Sequence, residues 1–125
     1  MTELILKEEV YQIIGAAMDV YYQLGKGFAE PIYQEALEIE LARRSIPFTS
    51  QCKTVVFYKG QPLETFYKPD FVCFDQVVAE IKAVHRLAGN EYSQIINYLK
   101  ATHKRVGLLI NFGSSVRLEW KRFVL

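Results

Sequence analysis

Two carboxylates and one lysine lie within sequence that is otherwise apolar and rich in β-forming residues. Asp70 precedes the apolar residues 71–74, and Glu80 and Lys82 lie inside the largely apolar segment 77–84. A charged group in a buried strand is costly unless it is paired or bound to a metal ion. Because alternate residues of a strand point to the same side, Glu80 and Lys82 should share one face of a sheet. We therefore expect these three residues to form one site.

Hydrophobic periodicity predicts the secondary structure around this site. Apolar residues at helical spacing predict helices over about residues 6–24, 30–44 and 90–102. Strands are predicted at residues 54–58, 63–68, 77–84, 106–110 and 116–121, and the second of them could extend through residue 74. The order ααβββαββ predicts an α/β (α+β) fold, with a mixed β-sheet flanked by helices. We expect a single domain spanning residues 1–125.

The position of Asp70 relative to Glu80 depends on the turn between their strands. A two-residue turn at residues 75–76 would pair Asp70 with Ile81 and place Asp70 on the opposite face from Glu80. A shared site therefore requires a three-residue turn, a shifted register or a bulge between the two strands. We predict one of these arrangements, and a structure with the two carboxylates on opposite faces would exclude the shared site.

Two carboxylates and a lysine supply groups that hydrolysis of a phosphodiester needs. Carboxylate oxygens bind Mg²⁺ or Mn²⁺, and such a metal lowers the pKa of its bound water and holds phosphate oxygens. A lysine beside the metal can position the water or stabilise the transition state. The residues alone leave an alternative open, which is an ion pair of Lys82 with Asp70 or Glu80 and no catalysis.

The pattern Pro69-Asp70…Glu80-Ile81-Lys82 resembles the active-site motif of the PD-(D/E)xK nuclease superfamily. The segment Gly27-Phe28-Ala29-Glu30-Pro31-Ile32-Tyr33 matches the Gly-x-x-Glu-x-x-Tyr motif of the GxxExxY proteins, which are small prokaryotic proteins assigned to that superfamily. The resemblance continues at residues 46–48, 58–60, 97–102 and 107–113, and so covers nearly the whole chain from Gly25.

This resemblance implies a restriction-endonuclease-like core and a nuclease that depends on Mg²⁺ or Mn²⁺. It gives catalytic roles to Asp70, Glu80 and Lys82, and it adds Glu30 and Gln94 from the neighbouring helices. The metal would be held by Glu30, Asp70 and Glu80. The alternative for Glu30 is that a carboxylate in the first turn stabilises the helix N-terminus, and the alternative for Gln94 is simple solvation.

Four further residues are candidates for contact with nucleic acid. Tyr33 and Tyr98 could touch the substrate, although packing in the core is the alternative for both. His85 and Arg86 follow the strand of Lys82 and could meet a phosphate, or they could be solvated loop residues. We expect the nucleic acid to be DNA, with RNA as the alternative.

Charge and composition restrict the partners and the location. The formal net charge of +1 argues against strong non-specific binding of nucleic acid, so a non-catalytic nucleic-acid- or protein-binding module is the alternative to a nuclease. The two cysteines are expected to be reduced thiols, and residues 1–9 lack the pattern of a signal peptide. We therefore expect a cytoplasmic protein without a membrane partner, and a homodimer is a further option.

Overall fold

The computed structural model describes residues 4–125, so the first three residues of the segment considered for a signal peptide lie outside the described residues. Its elements are α1 (Lys7–Leu24), α2 (Glu30–Arg43), β1 (Phe48–Ser50), β2 (Thr54–Tyr58), β3 (Gln61–Tyr67), β4 (Phe71–Cys73), β5 (Val77–Lys82), α3 (Gly89–Thr102), β6 (Val106–Asn111) and β7 (Glu119–Val124). The three predicted helices are confirmed, and each end lies within one residue of its predicted place. Among the helices of this range, none combines the length and the apolar character that a bilayer crossing requires.

Five strands form one mixed sheet in the order β1-β4-β5-β6-β7, while β2 and β3 form a separate two-stranded sheet. β5 and β6 are parallel and are connected through α3, whereas the other neighbours in the larger sheet are antiparallel. A parallel pair needs such a crossover because both strands run in the same direction. The predicted mixed sheet flanked by helices is confirmed.

The central strand β5 is covered on both faces. Alternate residues from Val77 to Ile81 pack in the main hydrophobic core with α1 and α2. Val78, on the other face, packs in a smaller cluster with α3. Because side chains alternate along a strand, Glu80 and Lys82 lie on the same face as Val78. The strand therefore directs its charged side chains to the α3 side of the sheet and not into the main core.

Two strand predictions are wrong in detail. β1 is missing from the predicted order, because a strand of three residues is too short to produce a recognisable alternation. The strand predicted at 63–68 does not continue to residue 74, since β3 and β4 belong to different sheets. Pro69 lies between these two strands, where its missing N–H group interrupts no ladder. The observed order is accordingly ααβββββαββ.

The last strand begins at Glu119 and not at the predicted residue 116. The buried side chain of Asn111 holds the intervening loop, because its Oδ1 accepts hydrogen bonds from the N–H groups of Val84 (2.9 Å) and Gly113 (3.0 Å). Its Nδ2 donates to Glu119 Oε1 at 2.9 Å. A Cβ on Gly113 would lie 2.2 Å from the carbonyl oxygen of Val84, so the close approach of these backbones requires glycine.

Candidate active site

Asp70 and Glu80 lie opposite each other at the pairing of β4 with β5. In the antiparallel register Phe71 pairs with Ala79, which brings Asp70 opposite Glu80. The turn 74–76 between the strands has three residues, one of the arrangements predicted. Directly opposite residues of an antiparallel pair share a face. The prediction that both carboxylates lie on one face is therefore confirmed.

Each carboxylate accepts a hydrogen bond from the backbone of the other strand. The N–H group of Asp70 donates to Glu80 Oε1 at 2.6 Å, and the N–H group of Ile81 donates to Asp70 Oδ2 at 2.9 Å. Gln51 adds a third bond, from its Nε2 to Asp70 Oδ1 at 3.3 Å. These bonds orient both carboxylates before any ligand binds.

Burial makes the charge of this pair costly. Asp70 is 8% exposed and Glu80 only 3%. Burial first, and then the neighbouring charge of Asp70, raises the pKa of Glu80 from its ordinary value of 4.5 to about 9. The hydrogen bond from the Asp70 N–H group and the charge of Lys82 oppose this shift without offsetting it. Near neutral pH, Glu80 therefore carries a proton unless a cation neutralises the pair.

Lys82 contacts α3 and not the carboxylates. Its Nζ donates to Gln94 Oε1 at 2.6 Å, and Gln94 Nε2 donates to the Tyr98 hydroxyl at 3.2 Å. Among residues 4–125, the ion pairs within 4.0 Å do not include Lys82 with Asp70 or Glu80, so neither of the two ion pairs considered is formed. The Lys82, Gln94 and Tyr98 side chains line a pocket of about 390 Å³.

Glu30 approaches the pair from the first turn of α2. Burial, followed by the charge of Asp70, raises the pKa of Glu30, while the charge of Lys82 lowers it. Such influences require the charged groups to be near one another. Glu30 also lines a second pocket, of about 440 Å³, together with Gln51. Glu30 therefore lies within electrostatic reach of Asp70, and its role at the site stays a prediction.

The chemistry of the donor set suits a divalent cation. Asp70 and Glu80 present adjacent carboxylate oxygens, and a cation would relieve their repulsion. Mg²⁺ in particular is commonly bound by one or two carboxylates, with water and substrate phosphate as its other ligands. In the part of the chain that the structure describes, no three His, Cys, Asp or Glu side chains are grouped so that they could hold a metal ion. The predicted third ligand, Glu30, therefore does not form one ligand group with the pair.

Two residues at the site are absent from the predicted set. Gln51 follows β1, and its contact with Asp70 results from the pairing of β1 with β4. Tyr67 is the last residue of β3, and its ring centroid lies 5.2 Å from that of Tyr98. Both contacts join segments that are far apart in the sequence, namely β1 with β4 and β3 with α3. Local sequence pattern does not indicate such contacts. The alternation at residues 63–68 indicates that Tyr67 belongs to a strand, but it does not indicate that its ring packs against Tyr98 of α3.

Three of the predicted nucleic-acid contacts do not line the pocket of Lys82, Gln94 and Tyr98. Tyr33 is fully buried, stacks on Phe112 with ring centroids 4.7 Å apart, and donates its hydroxyl to the Gly25 carbonyl at 2.5 Å. A ring in this position cannot touch nucleic acid, so that prediction is wrong and the core-packing alternative holds. His85 and Arg86 are exposed and line a cavity of about 760 Å³ that none of the proposed catalytic side chains borders.

Comparison with protein families identifies a relationship over nearly the entire chain. The family model described as PD-(D/E)XK nuclease superfamily matches residues 7–123. The matched range includes every candidate catalytic residue. Comparisons with curated proteins and with solved structures gave no match.

Proposed function

Because the chain belongs to the PD-(D/E)XK nuclease superfamily, we propose that it is a metal-dependent nuclease that hydrolyses phosphodiester bonds of DNA, or alternatively of RNA. Within the superfamily we assign it to the GxxExxY proteins, on the motif at Gly27, Glu30 and Tyr33. The observation that carries the proposal is the Asp70–Glu80 pair, two buried carboxylates held face to face by each other's strand.

Asp70 and Glu80 are the residues that would hold Mg²⁺ or Mn²⁺. The cation supplies a bound water of lowered pKa and neutralises charge on the phosphate. Glu80 must give up its proton to bind a cation, so affinity should rise with pH. Glu30 lies near the pair without joining its ligand group, and we assign to it a supporting negative charge.

Lys82 provides a positive charge on the face of Glu80. Its ammonium group is oriented by Gln94, which is itself bonded to the Tyr98 hydroxyl. A cationic donor fixed in this way can stabilise negative charge that develops on a phosphate or orient the attacking water without reorganisation. The Lys82–Gln94–Tyr98 chain therefore accounts for the predicted catalytic role of Gln94 as a positioning residue.

A non-catalytic nucleic-acid- or protein-binding module is the second candidate. The formal net charge of +1 favours it. Such a module would bind a partner at this site without cleaving it. Cleavage, and not binding, is therefore the property that separates the two candidates.

The test is cleavage of labelled single-stranded, duplex and branched DNA and RNA in Mg²⁺ or Mn²⁺. Three variants, Asp70→Asn, Glu80→Gln and Lys82→Met, are compared with Glu8→Gln and Lys7→Met, which remove the same charges from the exposed start of α1. The wild type and both controls should cleave, and each site variant should lose about 100-fold or more in rate.

Two outcomes would contradict the nuclease proposal. Cleavage that persists in all three site variants would mean that another site or a contaminant is responsible. Stoichiometric cation binding, measured by calorimetry, without cleavage of any substrate in the panel would favour the binding module.

A further inference from the structure

Glu91 is a buried carboxylate that the proposed function does not use. It lies in the first turn of α3 and is only 9% exposed. Its Oε2 atom is buried and accepts no hydrogen bond from residues 4–125. Buried polar atoms are nearly always paired, because a carboxylate oxygen without a donor is costly to bury. The helix N-terminus favours a negative charge here, but it does not provide the missing donor. A ligand that supplies an N–H or O–H group would.

Glu91 lines the pocket of about 390 Å³ that also contains the ammonium group of Lys82. Every residue that lines this pocket carries a polar side chain. The lining includes exposed asparagines, Asn90 and Asn97, as well as the buried Glu91 and Tyr98. Hydrogen-bonding groups therefore extend from solvent to the buried part of the pocket, next to the charge that we assign to a phosphate.

The charges in the pocket favour a neutral ligand at Glu91. Among the described residues, Glu91 is the one acidic side chain of the lining and Lys82 the one basic side chain. They are not among the ion pairs within 4.0 Å in this part of the chain. A single carboxylate with a lysine in the same pocket is a poor metal site, because Mg²⁺ and Ca²⁺ need several oxygen ligands. A phosphate would be repelled by Glu91.

A nucleobase has the properties that remain. It is neutral, and its Watson–Crick edge carries an N–H donor. The rings of Tyr67 and Tyr98 also line the pocket, and they supply apolar surface for the flat faces of a base. The volume of about 390 Å³ lies within the range of about 300–1,000 Å³ that is typical of small-ligand sites.

We propose that this pocket binds one unpaired nucleobase, with Glu91 Oε2 accepting a hydrogen bond from an N–H group of the base. The inference rests on the proposed function, and it defines the substrate as a nucleic acid with an unpaired nucleotide beside the phosphate at Lys82. In a duplex the Watson–Crick edge is already paired, so a base must be unpaired to donate to Glu91. Glu91 is thus a residue that selects the structure of the substrate and takes no part in hydrolysis.

The experiment measures Kd by fluorescence anisotropy for two labelled strands of about 12 units, one of deoxycytidine nucleotides and one of abasic sugar-phosphate units. Both carry the same phosphate charge, so the difference between them reports the binding of bases. EDTA is present so that cleavage does not interfere. The wild type should bind the deoxycytidine strand more tightly. Glu91→Leu should raise the Kd for that strand by roughly 10- to 150-fold and leave the Kd for the abasic strand unchanged.

Two further variants separate base binding from a structural role of Glu91. Glu91→Gln keeps an oxygen that accepts a hydrogen bond, so it should lose less affinity for the deoxycytidine strand than Glu91→Leu. Glu8→Leu is the matched control, because Glu8 lies in the first turn of α1 and is exposed. It should bind both strands as the wild type does. Urea unfolding in the same buffer checks that each variant is folded.

Equal affinity of the wild type for the two strands would overturn the inference, as would an unchanged Kd for the deoxycytidine strand in Glu91→Leu. An equal loss of affinity for both strands would assign Glu91 a structural role in α3 and overturn it as well. A preference for bases that Glu91→Leu removes, without cleavage on addition of Mg²⁺, would contradict only the proposed nuclease function. Cleavage by a wild type that binds both strands equally would contradict only the role of the pocket.

Discussion

Glu80→Gln should stabilise the metal-free protein, although it removes a residue of the proposed site. The folded-state pKa of Glu80 is raised from 4.5 to about 9, so the folded protein favours the protonated carboxyl group. The stability associated with that proton is fully present below about pH 4.5 and is lost as the pH rises towards 9. At pH 7.5 the loss amounts to ~4 kcal/mol. Glutamine keeps an oxygen to accept the Asp70 N–H group and carries no charge to bury.

Urea unfolding in EDTA, at pH values of about 4.5, 6 and 7.5, measures this difference. With a slope of about 1–3 kcal/mol per molar urea, the variant should unfold at a midpoint roughly 1.3–4 M higher at pH 7.5, and at a similar midpoint near pH 4.5. The control Glu8→Gln lies on the exposed start of α1 and should follow the wild type.

Added Mg²⁺ provides the second half of this test. It should stabilise the wild type, because a cation that binds only the folded state shifts the unfolding equilibrium, and it should have little effect on Glu80→Gln. A difference between variant and wild type that does not change with pH would refute the reasoning, and so would a less stable variant at pH 7.5.

Three other substitutions or modifications test the packing around the site. Gly113→Ala should lower the free energy of unfolding by ~2–3 kcal/mol, because its Cβ would lie 2.2 Å from a backbone oxygen. The control Gly89→Ala, whose Cβ would have no atom within 4 Å, should not lower it. The midpoints of urea unfolding of the two variants measure the difference. Tyr33→Phe should cost ~1 kcal/mol through the lost hydroxyl bonds and leave the Kd for nucleic acid unchanged, and a weakened Kd would contradict its structural role. Cys52 is exposed and should react with a maleimide in the folded protein. Cys73 is buried, which raises the pKa of its thiol to about 12, so it should react only after unfolding. Labelling of Cys73 in the folded protein, detected by mass spectrometry, would contradict its burial.

The parts of the fold that follow from local pattern are those that sequence predicts well. α1 and α3 have one clear apolar face, and α2 buries Tyr33, Leu37 and Leu41 at a spacing of four residues. The ends of all three helices are correct to one residue. The common face of Glu80 and Lys82 follows from alternation along one strand. The three-residue turn was one of three arrangements, beside a shifted register and a bulge, that would allow Asp70 to join them.

The parts that depend on contacts between distant segments could not be predicted in this way. Gln51 reaches Asp70 only because β1 pairs with β4, and β1 is too short to be recognised alone. The burial of Tyr33 depends on which side of α2 faces Phe112, a contact between residues far apart in the chain. Its motif position beside Glu30 carries no information on whether the ring is buried or exposed.

The three-residue turn 74–76 makes the length of the chain between the two carboxylates a requirement for the proposed site. Inserting or deleting one residue there would leave Asp70, Glu80 and Lys82 unchanged in identity, yet it would rotate Asp70 to the face of the main core. A related sequence with every motif residue but a turn one residue longer or shorter should therefore lack the proposed site unless a bulge compensates. When homologues are selected or the hairpin is engineered, the number of residues between the two carboxylates is as informative as the carboxylates themselves.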